Sequence, residues 1–203
     1  MQNKTWSSQA GTIYQNCAVF YKVKEEFGGL SNMSGGYPIK LNGVTIYSSE
    51  ALYQACRFPH EATWQKEIIT QKSPMAAKMK SKKDNRRKDY SRQDWEDVRV
   101  DLMRWVLRVK LAHHYTAMSK ILLATGDRPI VEKSRKDRFW GAVEDKEGVL
   151  HGCNQLGQLL MELRSLIKTK SSKELTKVEP LDIPDFLLLN KPISTIKVVF
   201  ARF

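Results

Sequence analysis

Between Trp95 and Val109 the apolar residues Trp95, Val98, Leu102, Trp105, Val106 and Val109 recur every three or four positions. Residues so spaced fall on one face of an α-helix, because about 3.6 residues complete a turn. A face that carries two tryptophans has to be buried, so this segment is expected to be a long helix packed into a domain core. Just before it, Ser91-Arg92-Gln93-Asp94 resembles a capping box with the shorter Asp in place of Glu, which would set the first helical turn.

The remaining punctuation is also mostly helical. Ser48 or Ser49 can cap a helix that carries Glu50 in its first turn, and Ser73-Pro74 suits an N-cap followed by proline at the first helical position. Another helix is predicted over Tyr115 to Ala124, stopping at Gly126. A last one begins near Asn154 and carries Leu156, Leu159, Leu160, Leu163 and Ile167. The one strong β signal is Ile39-Lys40-Leu41, then Asn42-Gly43, then Val44-Thr45-Ile46-Tyr47, because Asn-Gly accepts the positive φ angles of a two-residue hairpin turn. The expected fold class is therefore mainly α: a compact helical domain with a small β-hairpin. Beyond about Thr169 the chain turns polar, meets Pro180 and Pro184, and ends in Thr195-Ile196-Lys197-Val198-Val199-Phe200, which suits a strand. This C-terminal extension is expected to pack on the core or on a partner.

Bulk properties exclude several classes. A hydrophobic fraction of 41% supplies a core, yet no run reaches the ~18 apolar residues of a membrane span. The start, M-Q-N-K-T-W-S-S, has no apolar segment of the secretory kind. Cys17, Cys56 and Cys153 are odd in number and widely spaced, so neither a disulfide framework nor a zinc site is expected. The expectations are a reducing cytoplasm, no membrane, no metal and no cofactor. The net charge of +12 is concentrated from Lys66 to Lys110, where 14 basic residues face 7 acidic ones. Such a field favours an anionic partner such as nucleic acid or a pyrophosphate, although a solvated basic helix face gives the same composition.

Several polar clusters are harder to assign to structure alone. They are F-G-G-L-S-N-M-S (Phe27 to Ser34), S-S-E-A-L-Y-Q-A-C-R-F-P (Ser48 to Pro59), S-P-M-A-A-K (Ser73 to Lys78), D-W-E-D-V-R (Asp94 to Arg99), T-G-D-R-P-I-V-E (Thr125 to Glu132), D-R-F-W-G (Asp137 to Gly141) and G-C-N-Q-L-G-Q-L-L-M-E-L-R (Gly152 to Arg164). In that order and spacing they resemble the NADAR, or YbiA-like, family. The resemblance implies a domain over 19–168, flanked by an N-terminal segment 1–18 and the extension 169–203. It also implies metal-free cleavage of N-glycosidic bonds. Family members act on phosphoribosyl intermediates of riboflavin synthesis or remove ADP-ribose from guanine bases, some as antitoxins to DNA-modifying ADP-ribosyltransferase toxins. The form of these motifs looks most like the antitoxin-type branch. The resemblance thus implies ADP-ribosylated nucleic acid or another ADP-ribose-containing ligand as partner, with a cognate toxin as a second one. Hydrolysis of small phosphoribosyl metabolites, or toxin binding without catalysis, are the alternatives.

The chemistry fits this pattern. Breaking an N-glycosidic bond builds positive charge on the anomeric carbon, which a carboxylate can stabilise while a second group assists the departing base. Glu50, within the S-x-E motif, and Asp137 are the carboxylate candidates. Glu50 also suits the helix dipole, and Asp137 could simply cap the turn into Phe139-Trp140. A lysine forming a Schiff base with the opened ribose is the other route, with Lys78 and Lys22 as candidates. Many relatives carry lysine where this chain has Arg57. Arginine stays protonated, so Arg57 is a candidate phosphate clamp. Gly28, Ser31 and Asn32 form a glycine-rich loop able to offer backbone N–H groups to phosphate. Trp95 and Trp140, the latter beside Gly141, are candidates for stacking on a base, with core packing the alternative for Trp95. Glu132 can bind ribose hydroxyls, and Asn154 either caps the last helix or meets the ligand. His113 and His114 match no catalytic spacing.

Overall fold

The structure, a computed structural model, describes residues 4–82 and 90–199. Part of the basic stretch, 83–89, and Phe200 at the end of the predicted closing strand lie outside the described residues. The chain forms two compact units, one from Met1–Ser31 and Thr116–Thr169, the other from Asn32–Tyr115 and Lys170–Phe203.

The first unit overturns the expectation of a mainly α protein. It holds a six-stranded sheet built from β1 (Thr5–Ser7), β2 (Ile13–Tyr14), β3 (Ala18–Phe20), β6 (Ile130–Ser134), β7 (Ala142–Glu144) and β8 (Val149–His151). The order across it is β2-β1-β8-β7-β6-β3, which makes the fold mixed α/β. The pairs β1–β2 and β7–β8 are antiparallel, whereas β1–β8, β6–β7 and β3–β6 are parallel. Strands of two to five residues show at most two alternations, too few for a period of two to stand out in sequence. Trp6, Cys17, Val131, Ala142 and Leu150 form one core cluster here, with Val19 and Met161 against it. The helix α6 (Gln155–Thr169) packs on β6, as its predicted leucine stripe requires.

In the second unit the Asn-Gly hairpin is as predicted. Strands β4 (Ile39–Leu41) and β5 (Val44–Ile46) pair antiparallel around Asn42 and Gly43, whose φ angles of 50° and 80° are those of a primed turn. Behind it come α1 (Ser49–Ala55), α2 (Ala62–Ile69) and α3 (Pro74–Ser81), with Ser48 and Ser73 capping α1 and α3 as expected. The long amphipathic segment is α4 (Trp95–His113), followed by α5 (Tyr115–Ala124), after which Gly126 turns the chain at φ 60°. The capping box proposed at Ser91 is absent. Asp94 is the N-cap of α4, with no side-chain cap bond, because its carboxylate is held by Arg92 at 2.6 and 2.8 Å. A capping box forms instead at Ser171 and Glu174, on the short α7 (Ser172–Leu175).

The C-terminal extension is part of the second unit's core. Trp105 of α4 donates its indole N–H to the Glu179 carbonyl at 3.0 Å and meets Phe186 edge-on. Gln65, fully buried on α2, donates to the Leu187 carbonyl at 3.0 Å and accepts the Leu189 N–H at 2.6 Å. These bonds fix the tail by its backbone. Gln65→Ala is expected to cost about 1–3 kcal/mol, since it strands buried backbone groups. Urea unfolding of the variant measures this, and an unchanged midpoint would contradict the docking.

Candidate functional site

The site grows from the start of α1. Ser48 accepts the Ala51 N–H at 3.2 Å, which fixes where the helix begins and so where Glu50 points. An acid placed only to satisfy the helix dipole would sit in water. Glu50 is instead 5% exposed. Its two oxygens accept from Asn32 Nδ2 at 2.7 Å and from Gln54 Nε2 at 2.9 Å. Gln54 in turn accepts from the Ser81 hydroxyl at 2.8 Å, at the end of α3. Among the described residues no cation pairs with Glu50. A buried carboxylate held by two neutral amides leaves its negative charge available to whatever binds beside it. Asn32 Oδ1 is likewise buried and has no partner, so the same asparagine offers an acceptor to a ligand hydroxyl.

Tyr53 follows Glu50 by three positions on α1, and Arg57 stands in the turn just after the helix ends. The Arg57 guanidinium lies 5.1 Å from the Trp95 ring centroid, and its Nε donates to Ser91 Oγ at 2.6 Å. Ser91 therefore serves Arg57 and not the helix start. Tyr53 packs 5.2 Å from the Trp95 ring; burial and then the Glu50 charge push its hydroxyl pKa upward. Partial burial lowers the Arg57 pKa, but the guanidinium keeps its charge at neutral pH. Trp95 is half-buried, between the core and the stacking readings. Together α1, the turn that follows it and the Asn32 loop supply a buried carboxylate, an open acceptor and a fixed cation.

The other sequence candidates fall out as follows. Asp137 Oδ1 accepts the N–H groups of Phe139 at 2.9 Å and Trp140 at 2.8 Å, which is the turn-capping arrangement. Trp140 is partly buried and edge-on to Phe139. Asn154 is fully buried and bridges β6, donating to the Ile130 carbonyl at 2.8 Å and accepting the Glu132 N–H at 3.0 Å. Its amide is thus spent on the backbone of that strand. Glu132 itself is partly buried on β6, and Gly141, buried, leads into β7. Gly28 is required by a close approach: a Cβ there would lie 2.4 Å from the Val23 carbonyl oxygen. Ser31 is buried beside it in sequence. Lys22 is exposed and Lys78 half-buried. Glu50, Asn32, Arg57, Trp95 and Lys78 belong to the second unit, whereas Asp137, Glu132, Trp140, Gly141, Asn154, Gly28, Ser31 and Lys22 belong to the first.

One residue escaped the sequence reading. Lys110 of α4 is fully buried, and desolvation pushes its pKa down to about 7. Its Nζ lies 4.3 Å from the centroid of the Tyr37 ring. Next to it His114 Nε2 donates to the Pro38 carbonyl at 2.7 Å, and burial lowers its pKa. The signal was present: Lys110 interrupts Val109-Lys-Leu111-Ala112, an apolar run on a helix buried nearly all round. Among so many lysines it did not stand out. Among the described residues no group of three or more His, Cys, Asp or Glu is placed to hold a metal, and no helix is long and apolar enough to cross a membrane.

The NADAR domain model matches residues 19–168. The chain belongs to the NADAR domain family. It is 38% identical to the N-glycosidase YbiA of Shigella boydii over 145 residues, covering 71% of this chain and 84% of that protein. The YbiA of Escherichia coli is 37% identical over the same length. A riboflavin biosynthesis protein of Vibrio vulnificus is 34% identical over 154 residues, which is 75% of this chain but 39% of that protein. The NMR structure of the E. coli protein YbiA superimposes with a TM-score of 0.61 at 35% identity, covering 75% of this chain and 84% of that one.

Lys110 makes the fold pH-sensitive. An unfolded lysine titrates at about 10.4, whereas the folded one does so at about 7. Between those values the unfolded chain holds the extra proton, so stability rises with pH across the window and is lost as pH falls toward 7. Lys110→Met is expected to flatten this dependence, as measured by denaturant midpoints near neutral and near alkaline pH.

Proposed function

We propose that this NADAR protein is an N-glycosidase that removes ADP-ribose from guanine bases in nucleic acid. The observation that carries the reading is the buried Glu50 carboxylate, held by Asn32 and Gln54 with no cation among the described residues. As the bond between the anomeric carbon and the base nitrogen breaks, its electron pair leaves with the base and the ribose becomes cationic. A desolvated carboxylate stabilises that charge far better than one in water. Asn32 Oδ1 accepts a ribose hydroxyl, and Arg57, braced on Trp95, clamps a phosphate.

Lys110 is the nucleophile in this scheme. Burial pushes its pKa down to about 7, which favours the neutral, nucleophilic amine. The amine attacks the anomeric carbon, the ribose ring opens to a Schiff base, and water then releases ADP-ribose and restores the lysine. The Tyr37 ring that lies against the amine has to give way to the sugar. The nucleic-acid substrate is supported by the net charge of +12. The riboflavin biosynthesis relative favours a second substrate, a small phosphoribosyl metabolite. Toxin neutralisation by contact alone gives no reason for the uncompensated carboxylate.

The test uses an oligonucleotide carrying ADP-ribosylated guanine. Release of free ADP-ribose is expected, with Glu50→Gln slowing it by about two to three orders of magnitude, comparable to loss of one electrostatic stabiliser. No release at high protein concentration, with turnover of phosphoribosyl metabolites instead, would transfer the assignment to those metabolites. Cyanoborohydride added during turnover should leave a mass adduct on the Lys110 peptide. An adduct elsewhere, or none at all while turnover proceeds, removes Lys110 from the mechanism.

A further inference from the structure

The first unit contains a cavity of about 630 Å³, lined by the β1–β2 hairpin and the start of α6. We propose that it is a docking site for a purine base, of the adenine type. This goes beyond the glycosidase reading, since the hairpin precedes residue 19, where the family match begins.

One wall is a rigid aromatic pair. Trp6 and Tyr14 stack with ring centroids 4.7 Å apart and planes 17° from parallel. Trp6 is 3% exposed and locked by its indole N–H on the Gly152 carbonyl at 3.0 Å. Tyr14 is 37% exposed. Tyr14 also lines the cavity, and with one face covered by Trp6 its other face is left for a third flat ring to continue the stack. Aromatic platforms of this kind accept bases because each base has a π-face.

The polar lining selects the same class of ligand. Gln155 has no hydrogen-bond partner for its side-chain amide among the described residues. Gln9 accepts from Cys153 Sγ at 2.7 Å through Oε1, which leaves its Nε2 hydrogens open. Gln158 donates to the Cys153 carbonyl at 2.7 Å, which leaves its Oε1 open. Among the described residues the one charged side chain lining the cavity, Asp127, is ion-paired with Lys168 at 2.6 Å. A phosphate or a free cation thus meets no available counter-charge, and an aliphatic ligand leaves the amides unsatisfied. A flat, neutral ring with both donors and acceptors satisfies them, and a carboxamide matches the paired N6 donor and N7 acceptor of adenine. The base can belong to a free nucleoside or to an unpaired nucleotide of a strand.

The experiment titrates adenosine, and separately a short single-stranded oligodeoxyadenylate, into the full chain, read by amide chemical shifts. Saturable binding of adenosine is expected, weakened at least about tenfold by Tyr14→Ala, as loss of a stacked base contact implies. Gln155→Ala, at a half-buried helix start, should also weaken it, while Tyr14→Phe keeps it. Tighter binding of the oligonucleotide assigns the site to a nucleic-acid strand, and equal binding to a nucleoside. Glu50→Gln should leave adenosine affinity unchanged, which separates this site from the glycosidase chemistry. Absence of saturable binding, indifference to both Tyr14→Ala and Gln155→Ala in folded variants, or loss in Glu50→Gln overturns the proposal.

Discussion

A carboxylate taken out of water is costly, and the second unit meets that cost at Glu50 with two neutral amides, no cation pairing with it among the described residues. The two amides that hold it come from the loop at Asn32 and from Gln54 one turn along the same helix, and Gln54 is itself set by Ser81 at the end of α3. Three separate stretches of chain must therefore be in register before the charge is tolerated. Structural ion pairing would have solved the problem with a lysine or arginine, both abundant in this chain. Neutral amides hold the carboxylate without supplying a counter-charge of their own, as stabilisation of a transient sugar cation requires.

The segments outside the family match are built into each unit. At the N-terminus, β1 and β2 extend the sheet, and Trp6 belongs to its core. At the C-terminus, the tail is held by Gln65, by Trp105 and by Asn42, whose amide donates to the Leu188 and Lys191 carbonyls. Side chains that bond backbone groups hold a segment in one place whatever its own sequence, which is why a stretch of weak periodicity folds reproducibly onto the unit.

The helices α1, α3, α4, α5 and α6, the Asn-Gly turn and the caps at Ser48 and Ser73 were legible because each depends on near neighbours in sequence. The misreadings share one cause. Ser91 looked like a cap, yet its hydroxyl is taken by Arg57, 34 residues away. Asn154 looked like a ligand or cap residue, yet its amide bridges β6 across more than 20 positions. Lys110 looked like one lysine among many until burial lowered its pKa.

By itself, then, the sequence determined where α1, α3, α4, α5 and α6 lie, where the chain reverses at Asn42-Gly43, and which motifs place it among the NADAR proteins. Such features are set by local sterics, capping and the 3.6-residue period. Only the tertiary structure decided that short strands from both ends of the first unit join into one sheet, that Glu50 is desolvated between amides, and that Lys110 loses its solvent. Strand pairing and desolvation are properties of distant segments brought together, and no local pattern encodes them.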